Sequence, residues 1–351
     1  MKGKELSEKI KAGDFFLENE DFSNMDCQGN DLSGGVFFQV NFDNTDFTRA
    51  NLSDSTFSKC SMKSVVFAEA DLKQTNFVEC ILKNADFSKT KSYFAKFTQV
   101  NMKNANFSNA KINTGVFNDS ELNSAIMKET IIEKTILNNC KLQQADFSKA
   151  SLYKAIFIKC SFQDNIYKNI SIHLSYFNGS SFEGSDFSGT DLTQVQFMEC
   201  NLSRCDFSNT RFKQGGFYQA LLEGSNFDNA YLELAFFNEA KVSGSSFKNA
   251  DLKRANMQYA NFDNCNLESV NLYQAQLEGI QANESVFAGA NLTYADLSHA
   301  QIVKSDFSNT SMLLTDMHEA NDEKTKWTGS TKILARGTND KRLKAEKWGT
   351  K

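Results

Sequence analysis

Apolar residues recur at every fifth position from Phe22 to Met317, without insertion or deletion, in 60 consecutive pentads. The pentad centres begin Phe22, Cys27, Leu32, Phe37, Phe42, Phe47 and Leu52, and Ser92 is the one plainly polar residue among them. A helix needs an apolar period near 3.6 and an ordinary strand a period near 2, so a strict period of five fits neither. It fits a chain that turns a corner once per pentad and stacks its repeats to bury a core. Two residues before the centre the side chain is small in 54 of 60 pentads, so both positions face inward.

A second period of twenty sorts the centres into four columns of 15. The column from Cys27 to Phe307 holds 11 Phe and the column from Phe37 to Met317 holds 10, whereas the Leu32 column holds only Phe212 and the Phe22 column five. Phe-rich columns therefore face each other across a square section, with Leu and Ile on the other two sides, as dense packing requires. Ile280 and Ala282 exchange large for small within one pentad and roughly conserve volume.

One residue before the centre, Asp or Asn stands in 26 of 60 pentads, as in Ala50-Asn51-Leu52, Ala70-Asp71-Leu72, Ala145-Asp146-Phe147 and Ala290-Asn291-Leu292. This resembles the pentapeptide-repeat family, whose signature is Ala-Asp/Asn-Leu-x-x. The resemblance implies an all-β fold, a right-handed quadrilateral parallel β-helix (a solenoid) of about 15 coils. At roughly 4.8 Å per coil the rod would be about 72 Å long. Residues 1–20 are expected to cap it with a short helix over 4–11, Leu6 and Ile10 inward. Residues 21–320 form the β-helix, and 321–351 a C-terminal cap and polar basic tail in which Trp327 stays in register and Ile333 and Leu334 seal the last coil. Two soft spots are expected: a distortion over 165–174, where Asn165 and Ile170 are oversized, and Ser92, its missing volume filled by Phe94.

Proline is absent, which suits a fold that uses nearly every backbone N–H. Seven of the eight cysteines occupy the small inward position and read as buried reduced thiols. There is no run of 18 apolar residues and no hydrophobic leader in MKGKELSEKIKAG, so a cytoplasmic chain without a membrane partner is expected. No catalytic constellation, cofactor motif or metal set stands out, and the expectation is a non-enzyme without cofactors. His299 and His318, near Asp296, Asp316 and Glu319, read as solvated side chains.

Function is therefore sought on the outward surface. On the Phe37 side, the position usually given to Asp or Asn reads Val116, Ile136, Ile156, Tyr176 in four successive coils, with Ile158 beside them. Such an outward apolar ladder suggests a protein partner or self-association. The Leu32 side is the most basic and carries Tyr93, Phe94, Tyr153, Tyr231, Tyr273 and Tyr294. The first reading is thus a non-catalytic interaction scaffold that makes no direct contact with nucleic acid. The family resemblance implies an alternative, a DNA-mimicking partner of DNA gyrase that protects it from quinolones or toxins, and a second one, an exported bacterial effector. Duplex DNA of this length would carry about 42 charges, whereas residues 21–320 carry 25 − 34 = −9, so the gyrase reading stands second.

Overall fold

The computed structural model describes residues 3–348. They divide into two compact units, one ending at Ser181 and the other beginning at Phe182. In the N-terminal unit, α1 (Gly3–Lys11) buries Leu6 and Ile10 as expected. A Cβ on Gly3 would stand 2.2 Å from the Asp26 carbonyl oxygen, so the helix can lie this close only with glycine there.

Four parallel pairings define each coil: Phe16 with Val36, Asp21 with Asn41, Asp26 with Asp46 and Asp31 with Asn51, every partner twenty residues on. One side of this unit is a continuous ladder in which β1 (Phe16–Glu18), β2 (Val36–Phe38), β3 (Thr56–Ser58), β4 (Asn76–Val78), β6 (Lys96–Thr98), β8 (Val116–Asn118), β10 (Ile136–Asn138), β12 (Ile156–Ile158) and β14 (Tyr176–Asn178) pair in that order. The side next to it pairs β5 (Lys91–Tyr93), β7 (Lys111–Asn113), β9 (Ile131–Glu133), β11 (Ser151–Tyr153) and β13 (Ser171–His173). The C-terminal unit keeps the twenty-residue step with one regular strand, β15 (Gln196–Met198), and otherwise single bridges such as Tyr231 with Asp251. The parallel β-solenoid is as expected. The expected count of about 15 coils is corrected to about nine turns.

An Asp or Asn before the centre disfavours a regular strand, although Ser61, Glu121, Lys141 and Leu221 turn without one. An Asp or Asn there accepts the backbone N–H two residues on, as Ser23 N–H donates to Asp21 Oδ1 at 2.9 Å and Ser208 N–H to Asp206 Oδ1 at 2.8 Å. This Asx turn bends the chain before a strand can extend. Of the fifteen strands only β4 begins with Asp or Asn; the others open on Val, Ile, Lys, Thr, Ser, Phe, Tyr or Gln. After every turn the corner residue is left-handed, from Asn24 (φ 56°) to Lys324 (φ 59°). Hydroxyls at the small position then bind carbonyls of the preceding coil, as Thr45 Oγ1 donates to the Phe22 oxygen at 2.7 Å.

The two Phe-rich columns fill the core from opposite sides. Phe37, Phe57, Phe77, Phe97 and Phe117 stack with centroids 4.8, 5.1, 5.0 and 4.5 Å apart. Phe87 meets Phe97 edge-on at 6.0 Å from the facing column. Offset stacks and edge contacts of this kind each add about 0.5–1.5 kcal/mol beyond their burial.

Three expectations are corrected. Phe94 does not fill the gap at Ser92: it is the corner residue (φ 60°), 52 % exposed, while Ser92 stays buried and its hydroxyl has no hydrogen-bond partner. The backbone over 165–174 keeps its register with the preceding coil, through Asp146–Ile166 and Ser151–Ser171. Its irregularity is confined to side chains: Asn165 Oδ1 accepts the Ala145 N–H while its Nδ2 is buried without a partner. At the C-terminal end Ile333 is 94 % exposed and Leu334 half exposed, so neither seals the last coil. Trp327 stays in register, 4.8 Å from Phe307, and the polar tail forms α2 (Asp340–Trp348).

Candidate interaction surfaces

The apolar ladder is the centre of a larger flat face. Val116, Ile136, Ile156 and Tyr176 stand directly opposite one another in β8, β10, β12 and β14, with Ile158 at the other end of β12. Ile136 is exposed and the other four are half-buried. The same two outward rows continue through Phe16, Val36, Phe38 and Val78, and of all the outward residues of these nine strands only Glu18 and Lys96 are charged. These flanking members carry the same register in the sequence. They escape notice there because Thr56, Asn76 and Lys96 interrupt them.

Phe94 lies at the edge of this face, lining a shallow groove with Gln74, Asn76 and Lys96. The structure thus sets Phe94 beside Asn76 and Lys96 of the face that also carries the ladder, although the sequence assigns the two to different sides. Tyr93 and Tyr153 lie on the neighbouring sheet, Tyr93 opposite Asn113 and Tyr153 between Glu133 and His173. Lys154 at the shared corner sits 5.2 Å from the Tyr153 ring.

Tyr231 and Tyr273 belong to the C-terminal unit, and their surroundings are those of a tied surface. Arg211 sits 5.8 Å from the Tyr231 ring, and the Tyr231 hydroxyl donates to Glu233 at 2.8 Å. Lys213 and Tyr231 together hold the Glu233 carboxyl below its usual range. Lys253 lies 5.7 Å from the Tyr273 ring, which meets Tyr294 edge-on at 5.8 Å.

The structure assembles a third cluster out of residues far apart in the chain. His318 is fully buried, its Nδ1 accepting the Asn339 N–H at 3.0 Å and its Nε2 3.2 Å from Glu346 Oε2. His299 Nε2 is 3.5 Å from Glu346 Oε1, and the two rings meet edge-on at 5.3 Å. Arg342 binds Glu346 at 2.8 Å and approaches Asp316 and Glu278. The hydrogen bonds from Arg342 and His318 hold the Glu346 carboxyl well down, at about 2. The expectation of two solvated histidines is corrected for His318, because α2 folds over it. His299, His318 and Glu346 have the donor types for a divalent metal. The tautomer opposes it, since a Nδ1 that accepts an N–H leaves the ring's proton on Nε2, where a metal would bind. The cluster acts as a clasp on α2.

Strict pentads with this backbone identify the family. The family model described as Pentapeptide repeat region matches residues 15–87, 50–127 and 170–247, and the one described as Pentapeptide repeats (8 copies) matches 125–164, 235–269, 245–281 and 271–309. The chain belongs to the pentapeptide-repeat family. Among solved structures, this pentapeptide-repeat protein is similar to QnrB1, a plasmid-mediated fluoroquinolone resistance protein, with 20 % identity, 56 % of this chain and 87 % of that one covered and a TM-score of 0.31. HetL, a pentapeptide-repeat protein involved in heterocyst differentiation regulation in the cyanobacterium Nostoc, is 19 % identical, with 84 % and 96 % covered and a TM-score of 0.16. No curated protein matches the chain.

Among the described residues of this pentapeptide-repeat protein no helix is long and apolar enough to cross a membrane. All eight cysteines are buried thiols outside any disulfide. Burial pushes the thiols of Cys27, Cys205 and Cys265 up to about 12, which suits packing groups and not nucleophiles.

Proposed function

We propose that this pentapeptide-repeat protein is a non-catalytic scaffold that binds a partner protein on the flat face built from β1, β2, β3, β4, β6, β8, β10, β12 and β14. The observation that carries this reading is the in-register ladder Val116–Ile136–Ile156–Tyr176, an outward, partly exposed apolar strip on regular strands almost free of charge. Flat sheets that lack charge are templates for association unless something covers them.

The ion pairs speak against a gyrase-binding DNA mimic. Carboxylates that a phosphate-like array would need are paired with lysines one coil away, among them Glu121 with Lys141 at 2.9 Å, Glu129 with Lys149 at 3.0 Å, Glu268 with Lys248 at 2.9 Å and Glu284 with Lys304 at 2.9 Å.

The test compares wild type with the Ile136→Asp, Ile156→Asp double variant in size exclusion with light scattering and in quantitative capture from lysate. The reading expects an assembly or a captured protein that is lost in the variant. Identical behaviour of the two proteins overturns it, and inhibition of purified gyrase supercoiling by both would return the alternative.

A further inference from the structure

We infer that the occupant of the ladder face is an amphipathic α-helix of the partner, with an aliphatic stripe flanked by Asp or Glu, laid across the strands. This rests on the scaffold reading above and names the shape and charge of what it binds.

Width comes first. Each strand of the face has three residues between left-handed corners, a flat strip about 10 Å wide at about 3.3 Å per residue. An α-helix with its side chains is about 10–12 Å across, so one helix covers the strip from corner to corner. A strand added edge-on is excluded, because the backbone groups of β8, β10 and β12 are already paired on both sides. Spacing agrees as well: successive ladder residues lie about 4.8 Å apart, close to the 5.4 Å pitch of a helix. Apolar side chains at i, i+4 and i+7 would meet Val116, Ile136 and Ile156 in turn.

The chain itself supplies a precedent on the corresponding column of its C-terminal unit. There α2 lies on outward residues in the same pentad positions: Arg342 reaches Glu278, Ser298 and Asp316, and Glu346 reaches His318. Those rows are acidic and polar, and the helix they hold is basic and polar. In the N-terminal unit the row from Val116 to Ile156 is aliphatic, and the corners bordering it carry Lys134, paired with Glu133 at 3.2 Å, and Lys154 on one edge and Asp119 and Lys159 on the other, a border of net positive charge. Complementarity therefore asks for an aliphatic stripe with acidic flanks. Nine strands give a face of about 40 Å by 10 Å at these spacings. A helix along it would bury well under the about 1,200 Å² of stable complexes, so the contact is exchangeable.

The experiment titrates the full chain with a synthetic 18-residue helical peptide bearing Leu at i, i+4, i+7 and i+11 and Glu on both flanks, read by fluorescence anisotropy. Controls are the same peptide with Lys flanks and a scrambled peptide of equal composition. Saturable binding of the Glu-flanked peptide is expected, weakened at least tenfold by Ile136→Asp and by Lys flanks. Lys154→Glu, a solvent-exposed change, should narrow the difference between Glu and Lys flanks while circular dichroism stays that of wild type. Equal binding of the scrambled peptide, indifference to Ile136→Asp, or no binding at all overturns the helix assignment. If the helix assignment fails while lysate capture still depends on Ile136, the scaffold reading stands alone.

Discussion

His318 and Glu346, 28 residues apart, meet at 3.2 Å and fasten α2 to the last coils. The imidazole is wholly buried beneath a helix that has no buried residue of its own, and the contact depends on a carboxylate that stays ionised.

That carboxylate sets a pH window for the helix. Glu346 is held at about 2 against an ordinary 4.5, so it favours the docked helix above about pH 4.5 and loses that effect as the pH falls through 2. The amide NMR signals of 340–348 should stay dispersed above pH 4.5 and move toward random-coil positions as the pH falls from there through 2. Glu346→Gln should give the collapsed positions at every pH. Signals of the wild type unchanged at pH 2 would contradict the clasp.

Ser92 puts a hydroxyl without a partner where the neighbouring coil has Ile112. Ser92→Ala removes that group and should raise stability by about 1 kcal/mol, the cost of an unpaired buried polar atom. Thermal unfolding by circular dichroism checks it, with a higher midpoint expected.

Gly215 makes room for the single Phe of the Leu32 column. A Cβ at Gly215 would lie 1.9 Å from the Phe212 ring, so Gly215→Ala should destabilise by about 1–3 kcal/mol through overpacking. Phe212→Leu should rescue it, and a double-mutant cycle in urea should show the two changes coupled rather than additive.

Thiol chemistry offers a global test. With Cys27, Cys205 and Cys265 pushed up to about 12 by burial, these three should not react with a thiol reagent in the native protein at pH 8. They should become available only in denaturant. Native labelling of any of the three would show that its coil opens.

Much of this protein is local repetition, and that part is legible in advance. Phe37, Phe57 and Phe77 could be assigned to one stack because each pentad repeats the same turn, so contacts fall at a fixed step of twenty. The Val116–Tyr176 ladder followed from the same register. The position of Phe94 is not legible from the period of five, because the left-handed corner turns its side chain outward and the periodicity carries no backbone conformation. Ile333 and Leu334 were misplaced because beyond Ala320 no repeat dictates where an apolar residue points.

By itself the sequence determined the four columns and the inward set, because periods of five and twenty place every apolar residue on the same side of a corner, and its resemblance to the pentapeptide-repeat family implied the parallel solenoid. Only the tertiary structure decided which sides run as flat strands and where α2 docks. Stacked Asx turns disfavour a flat side, but Glu121, Lys141 and Ser161 turn in successive coils without Asp or Asn, so the absence of such turns does not by itself make a side flat. The docking of α2 joins residues as far apart as Glu278 and Arg342, and no periodicity connects them.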